Sequence, residues 1–295
     1  MSPRSIGRFH RFLTGLLIHG KAPLIMALTN VLITVKTYPT LSEKYVELVC
    51  TAGFREDGTW IRIYPVPFRK RPYAEQYRKY DWIQVDLVKN TSDFRPESFR
   101  PATLDSEIIV VDHVDTNQNW QARKDVCLQD VRTDLAGLIK EAKDSTIGTS
   151  LAVFKPTEIL DFTAEEVDRE WSKKKIEQMN QMCLFESTAK GKFEIVQKLP
   201  YKFKFIFKDE KGVVSKMMIE DWETGQLYWN CLERHGGDEK KAVEDVRKKY
   251  FDDFAKTKDL HFFLGTTQQF HNVGPNPFII IGTFHPKLDP QGKLF

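Results

Sequence analysis

The sequence predicts an α+β protein, with a small N-terminal β-barrel followed by an α+β module. About five β-type runs, separated by turn residues, occupy the chain before residue 115. Charged stretches with apolar residues near helical spacing come next. A second group of strand-like runs then lies between residues 201 and 283. The divisions read from these patterns are 1–26, 27–120 and 121–295.

The run Val31–Tyr38 is β-branched and partly alternating, which favours a strand, and Pro39 ends it. Tyr45–Cys50 and Thr59–Tyr64 are the next strands, with Asp57 and Gly58 supplying the turn. Pro65 and Pro67 then force an extended or looped path. Trp82–Val88 and Glu107–Val114 complete the β module. Arg123–Asp144 reads as a helix because Val126, Val131, Leu135, Leu138 and Ile139 recur near helical spacing. Ser150–Leu160 fits a strand pair bent at Pro156. Phe162–Met182 reads as a second helix, with Thr163 as N-cap and Glu166 closing a capping box. Tyr201–Phe207 alternates, and with the turn Asp209–Gly212 and the run Val213–Ile219 it forms a hairpin. Leu227–Leu232 reads as a strand and Glu239–Phe254 as a helix capped by Asp238. Leu260–Leu264 and Phe278–Thr283 suit buried strands.

The chain has 295 residues, 41% of them hydrophobic and 29% charged, enough to build packed cores. A net charge of +3 makes any nucleic-acid surface a local patch. Cys50, Cys127, Cys183 and Cys231 form no C-x-x-C pair, so reduced thiols in a cytoplasmic setting are expected. No window approaches the length of a membrane span, and no membrane partner is expected. Residues 1–26 carry Arg4, Arg8, Arg11 and Lys21 and no acid. They read as a basic tail or as a mis-assigned start upstream of Met26, and a targeting segment is the other reading.

The segment between the second and third strands is dense in cations and rings. From Arg62 to Lys79 it holds six basic residues (Arg62, Arg69, Lys70, Arg71, Arg78 and Lys79) and one acid, Glu75. Tyr64, Phe68, Tyr73 and Tyr77 are interleaved with them. Positive charge neutralises phosphate and flat rings stack on bases, so the leading expectation is binding of single-stranded DNA or RNA with low sequence preference. Trp60, Arg62 and Tyr64 share one face of their strand by its two-residue period. The plainer reading is that the rings are half-buried with Arg62 packed over them. Likewise, Lys202 and Lys204 mark a strand with one aromatic face before they mark a second basic surface.

Two further function classes stay open. Asp221 and Glu223 follow a strand, where nucleases hold Mg²⁺, and Lys216 lies upstream; otherwise no cofactor is expected. A polar turn is the alternative reading. His271, in a loop, is a candidate general acid or base. His261, His271 and His285 lack metal-site spacing, so no metal ligands are assigned. Cys50, inside a strand, reads as a core thiol. The third class is a non-enzymatic assembly subunit that meets a protein partner through 121–295. The chain lacks G-x-x-x-x-G-K-[ST], G-x-G-x-x-G after a strand, G-x-S-x-G and the zinc-deaminase signature, which argues against those enzyme classes.

The string Cys50–Gly53 (CTAG) followed by Gly58–Arg62 (GTWIR) and Pro65 resembles the opening of a bacterial dual-OB-type domain, over about residues 45–115. The polar Arg95–Ser98 (RPES) run also fits that pattern, whereas the insert Phe68–Tyr80 departs from it. The resemblance implies an OB-like barrel and single-strand binding. The whole chain also resembles an uncharacterised bacterial family found beside mobile-element and phage-conflict genes.

Overall fold

A computed structural model describes residues 28–41, 47–177 and 195–289. The expectations for residues 1–26 and for Cys183 lie outside these. The N-terminal strands are β1 (Thr29–Lys36), β2 (Thr40–Leu41), β3 (Glu47–Phe54), β4 (Trp60–Val66), β5 (Asp81–Val85), β6 (Leu87–Lys89), β7 (Ser98–Pro101) and β8 (Ile108–His113). They form a curled half-barrel sheet in the order β6-β7-β4-β3-β1-β5-β8, with β2 paired to β3. Among the described residues β6 and β8 are the edge strands, so the expected barrel is present as a half-barrel. The β3–β4 turn forms as expected: Asp57 Oδ1 accepts from Thr59 N (2.9 Å) and from its hydroxyl (2.6 Å), and Gly58 takes φ 78°. Gly53 lets β3 approach β1, because a Cβ there would lie 1.9 Å from the Leu32 carbonyl oxygen.

Alternation gives this sheet two apolar faces. Val31, Ile33, Ile61, Ile63, Ile83 and Val85 point into the half-barrel, where Phe68 and Tyr77 from the insert close the core. Leu32, Ala52 and Phe54 point the other way. A register shift between Ile33 and Val35 turns Val35 onto that second face as well.

The second face is covered by a four-stranded sheet ordered β15-β14-β10-β9. Its strands are β9 (Val131–Arg132), β10 (Leu151–Phe154), β14 (His261–Thr266) and β15 (Phe278–Phe284). Leu151, Val153, Phe263, Ile281 and Phe284 meet the half-barrel. Their neighbours Ala152, Phe154, Phe262, Leu264, Phe278 and Ile280 face a third layer. That layer holds the sheet β11 (Glu158–Glu166), β12 (Tyr201–Lys208) and β13 (Val214–Met218). Two helices, α3 (Trp222–Arg234) and α4 (Glu239–Arg247), and a π-helical turn, Lys248–Ala255, also contribute to its core. Burial on both faces explains the near-continuous apolar runs of β14 and β15.

The hairpin β12–β13, the helix capped by Asp238 and the strands β14 and β15 follow the sequence reading. Four expectations need correction. The helix expected over Arg123–Asp144 is two, α1 (Asn117–Cys127) and α2 (Leu135–Lys143), split by β9. The pair expected over Ser150–Leu160 divides, because β10 pairs with β14 and β9 while β11 pairs with β12. The helix expected over Phe162–Met182 begins as β11: Phe162 is buried against Phe203 and Phe205, and Glu165 reaches Lys204 across the ladder. Only 173–177 is helical, and 178–182 lies outside the described residues. Leu227–Leu232 lies within α3, where Asp221 caps the first turn and Thr224, Tyr228 and Cys231 recur on the buried face.

Phe263 touches Phe54, Trp60 and Phe284 with centroids 5.7–6.4 Å apart. Phe263→Ala is expected to cost about 3–5 kcal/mol in urea unfolding. A cost under about 1 kcal/mol would show that the layers are not packed through this ring.

Candidate functional site

The face of β4 expected to meet nucleic acid is the face that docks the second sheet. Trp60 packs on Phe54 (4.0 Å) and Phe263 (5.7 Å). Arg62 is 2% exposed. Its Nη1 donates to Ser150 Oγ (2.7 Å) and Ser98 Oγ (3.4 Å), and its Nη2 donates to the Ser150 carbonyl (3.1 Å). Burial, then the neighbouring Arg95 charge, pulls its pKa below the usual guanidinium value. Glu97 accepts from Ser150 N (2.9 Å) and Oγ (2.6 Å), completing a link between the modules. Asp93 holds Arg95, which also donates to the Thr266 carbonyl. Tyr64 is half-buried, and its carbonyl accepts from Asn90 Nδ2 (3.2 Å). His271 belongs to this lock. It is 1% exposed, its Nδ1 lies 2.8 Å from Thr266 Oγ1, and burial lowers its pKa. Cys50 is half-buried and free, and burial raises its thiol pKa.

The insert between β4 and β5 divides its cations. Arg71 turns inward, donating to Glu75 Oε2 and to the Ser106 and Leu104 carbonyls, each at 2.8 Å. Lys79 is buried as well. Arg69 and Lys70 are partly exposed, on a 3-10 turn whose Phe68 is buried in the half-barrel. Arg78 stands out with its side chain 72% exposed, 3.5 Å from Asp81, and Tyr73 is 91% exposed. The eight expected nucleic-acid contacts therefore split. Arg62, Arg71 and Lys79 are structural anchors, Trp60 is part of the packed face, Tyr64 is half-buried, Arg69 and Lys70 are partly exposed, and Arg78 is exposed.

Lys79 instead joins two of the expected catalytic carboxylates. Its Nζ lies 2.7 Å from Asp221 Oδ2 and 3.0 Å from Glu223 Oε2. The Lys79 and Asp221 side chains are sealed, whereas that of Glu223 is 56% exposed. Asp221 also caps α3 by accepting from Glu223 N (3.1 Å). Burial outweighs the lysine and pushes the Asp221 pKa up to about 6, while Lys79 holds Glu223 below the ordinary value. Lys36, on β1, donates to the Tyr77 carbonyl (3.0 Å) and lies over the rings of Phe68 (4.5 Å) and Trp222 (5.3 Å). Burial, then Lys79, lowers its pKa to about 8. Sequence reading assigned Lys216 to this role and missed Lys36. Lys79 lies 142 residues from Asp221, and no local pattern announces that pairing. Among the described residues no hydrogen bond or ion pair joins His271 to this cluster, and no group of three or more His, Cys, Asp or Glu is placed to hold a metal.

Strained backbone borders the cluster. Tyr80 takes φ 67°, and Gln118, Asn119 and Trp120 take φ 48°, 54° and 65°. Asn119 secures that turn by bonding both backbone groups of Lys287 (3.0 and 2.8 Å). Arg123 sits 3.7 Å above Tyr80. His285 stacks on Phe254 (3.7 Å), and burial, then Lys79, lowers its pKa to about 4.

A family model described as domain of unknown function (DUF8757) matches residues 131–295, more than half of the chain, and one described as domain of unknown function (DUF8758) matches 27–129. No curated protein matches the chain.

Lys79→Met removes the only cation hydrogen-bonded to Asp221 and Glu223 among the described residues, and is expected to cost about 3–5 kcal/mol in urea unfolding at neutral pH. Adding Asp221→Asn should recover part of that loss, and strict additivity would contradict the pairing. His285 is neutral when folded and regains its ordinary pKa of 6.5 when unfolded. Its contribution is therefore complete above about pH 6.5 and is lost as pH falls toward about 4. His285→Phe keeps the stack on Phe254 and should flatten that part of the stability profile; an unchanged slope would contradict this.

Proposed function

We propose that this chain, which belongs to the DUF8757 family, is a nucleic-acid-binding protein. On this proposal its contact surface is the exposed part of the Phe68–Tyr80 insert, with Tyr73 stacking on a base and Arg69, Lys70 and Arg78 gripping phosphates. The observation that carries it is the 91% exposure of the Tyr73 ring within a cationic segment. A ring so exposed beside cations is placed to stack on a base while the cations meet phosphate. The curled half-barrel beneath it fits the OB-like relationship, in which a small β scaffold carries loops that follow a single strand. Phe68 and Tyr77 root the insert in the half-barrel core, so the surface is held on a rigid base.

A second reading rests on Lys79, Asp221 and Glu223. A buried carboxylate with a raised pKa, a half-exposed partner and a shared lysine form an acid–base arrangement next to strained backbone. This would make the seam a nuclease site, with Glu223 as the group that meets solvent and substrate.

Fluorescence anisotropy with labelled single-stranded DNA and RNA, at three salt concentrations and with and without Mg²⁺, tests both. Tyr73→Ala should cost about 1–3 kcal/mol of binding. Arg78→Ala should lower the log–log salt slope by about 0.7. Absence of binding to every probe, or equal binding by these variants and the parent, would overturn the first reading. Mg²⁺-dependent probe cleavage that is lost in Glu223→Gln would establish the second.

A further inference from the structure

The pairing at the seam leaves one of its two lysines without a carboxylate. Lys79 takes both Asp221 and Glu223. Lys36, at the end of β1, is left with the Tyr77 carbonyl (3.0 Å) and the rings of Phe68 (4.5 Å), Trp222 (5.3 Å) and Tyr77 (5.9 Å). It forms no ion pair among the described residues. Lys36 and Trp222 are partly exposed and Glu223 is exposed, so solvent reaches the seam beside the amine. Glu223, Asp221 and Asp81, together with the rings, favour the charged amine. Burial and the neighbouring Lys79 charge act against it and outweigh them, which lowers the pKa to about 8.

An amine in an aromatic box beside a second cation is in the setting that makes lysine a nucleophile toward carbonyl carbon. Its place selects the carbonyl. Phe68 and Tyr77 bracket the stretch that carries Arg69, Lys70 and Tyr73, and both root it in the half-barrel. The amine therefore stands at the foot of the surface assigned to a single strand. The aldehyde such a strand can bring is the open-chain deoxyribose of an abasic nucleotide, which has no base to block the approach. We propose that Lys36 is a nucleophile that captures an abasic site in single-stranded DNA as an imine, an inference that rests on the nucleic-acid reading above. The neutral amine forms a C–N bond to the sugar C1′, and one amine proton moves to the carbonyl oxygen. The resulting hydroxyl takes a second proton from solvent, its C–O bond breaks, and it leaves as water. Nζ and C1′ end as a protonated imine, with nothing oxidised or reduced.

The test incubates the full chain with a labelled single-stranded oligonucleotide, intact or carrying one abasic site, and quenches with sodium borohydride, which reduces an imine to a stable amine. The abasic strand is expected to give a covalent adduct that peptide mass spectrometry maps to Lys36, and the intact strand none. Lys36→Arg keeps a cation over the rings but cannot form the imine, and should lower the adduct at least about tenfold with an unchanged melting midpoint. The yield at fixed time should level off above about pH 8, whereas an ordinary lysine, titrating near 10.5, would give a yield still rising there. An adduct that maps to other lysines, one that survives Lys36→Arg, or no adduct from a chain that binds the intact strand would each overturn this inference alone. Absence of both adduct and strand binding would overturn the nucleic-acid reading along with it.

Discussion

The whole arrangement depends on burying both faces of the sheet β15-β14-β10-β9. On one face Phe263 and Phe284 meet Phe54, Trp60 and the second face of the half-barrel; on the other Phe154, Phe262 and Ile280 meet the aromatic layer of β11 and β12. Helices add to both cores, Cys127 of α1 beside the half-barrel and Leu138 of α2 beside the aromatic layer, but the central sheet contributes to both. The half-barrel without the central sheet would expose Leu32, Val35, Ala52 and Phe54. The aromatic layer would likewise lose the cover over Phe205 and Phe207.

The charges follow from that geometry. A seam between two modules must satisfy the polar groups it traps, and burying a charge is costly unless it is paired or fully hydrogen-bonded. Arg62 is satisfied by Ser150 and Ser98, and Lys79 by Asp221 and Glu223, each reaching across from the N-terminal module. Residues that look like phosphate contacts in the sequence are thus committed to internal partners. The exposed side chains of the insert are Tyr73 and Arg78, with the partly exposed Arg69 and Lys70 nearby, on a segment rooted by Phe68 and Tyr77.

The legible part of the fold is the part set by short-range pattern. Tyr201–Phe207 alternates and became a hairpin strand, and Asp238 signalled a helix start because an N-cap acts within three residues. Failures came where a local signal fitted two structures. Thr163 and Glu166 have capping-box spacing, yet both lie in β11, paired with Lys204 and Tyr201. Leu227–Leu232 is rich in strand-favouring residues, yet the cap at Asp221 and the spacing of Thr224, Tyr228 and Cys231 make it helical. In the candidate site, Asp221 and Glu223 stood out as carboxylates after a strand. Their lysine could not be read, because Lys79 and Lys36 arrive from another module, and partners that distant in sequence leave no periodic trace. The two-residue period put Trp60 and Arg62 on one face, and both meet the second sheet, because alternation does not say whether a face meets water or another sheet.

Differential scanning calorimetry of the full chain tests the shared seam most directly. A seam that buries Arg62, Lys79, Phe54 and Phe263 between modules makes them one cooperative unit. The account therefore predicts a single transition whose calorimetric and van't Hoff enthalpies agree. Two separable transitions would contradict it, because the modules would then keep their stability without the contacts that join them.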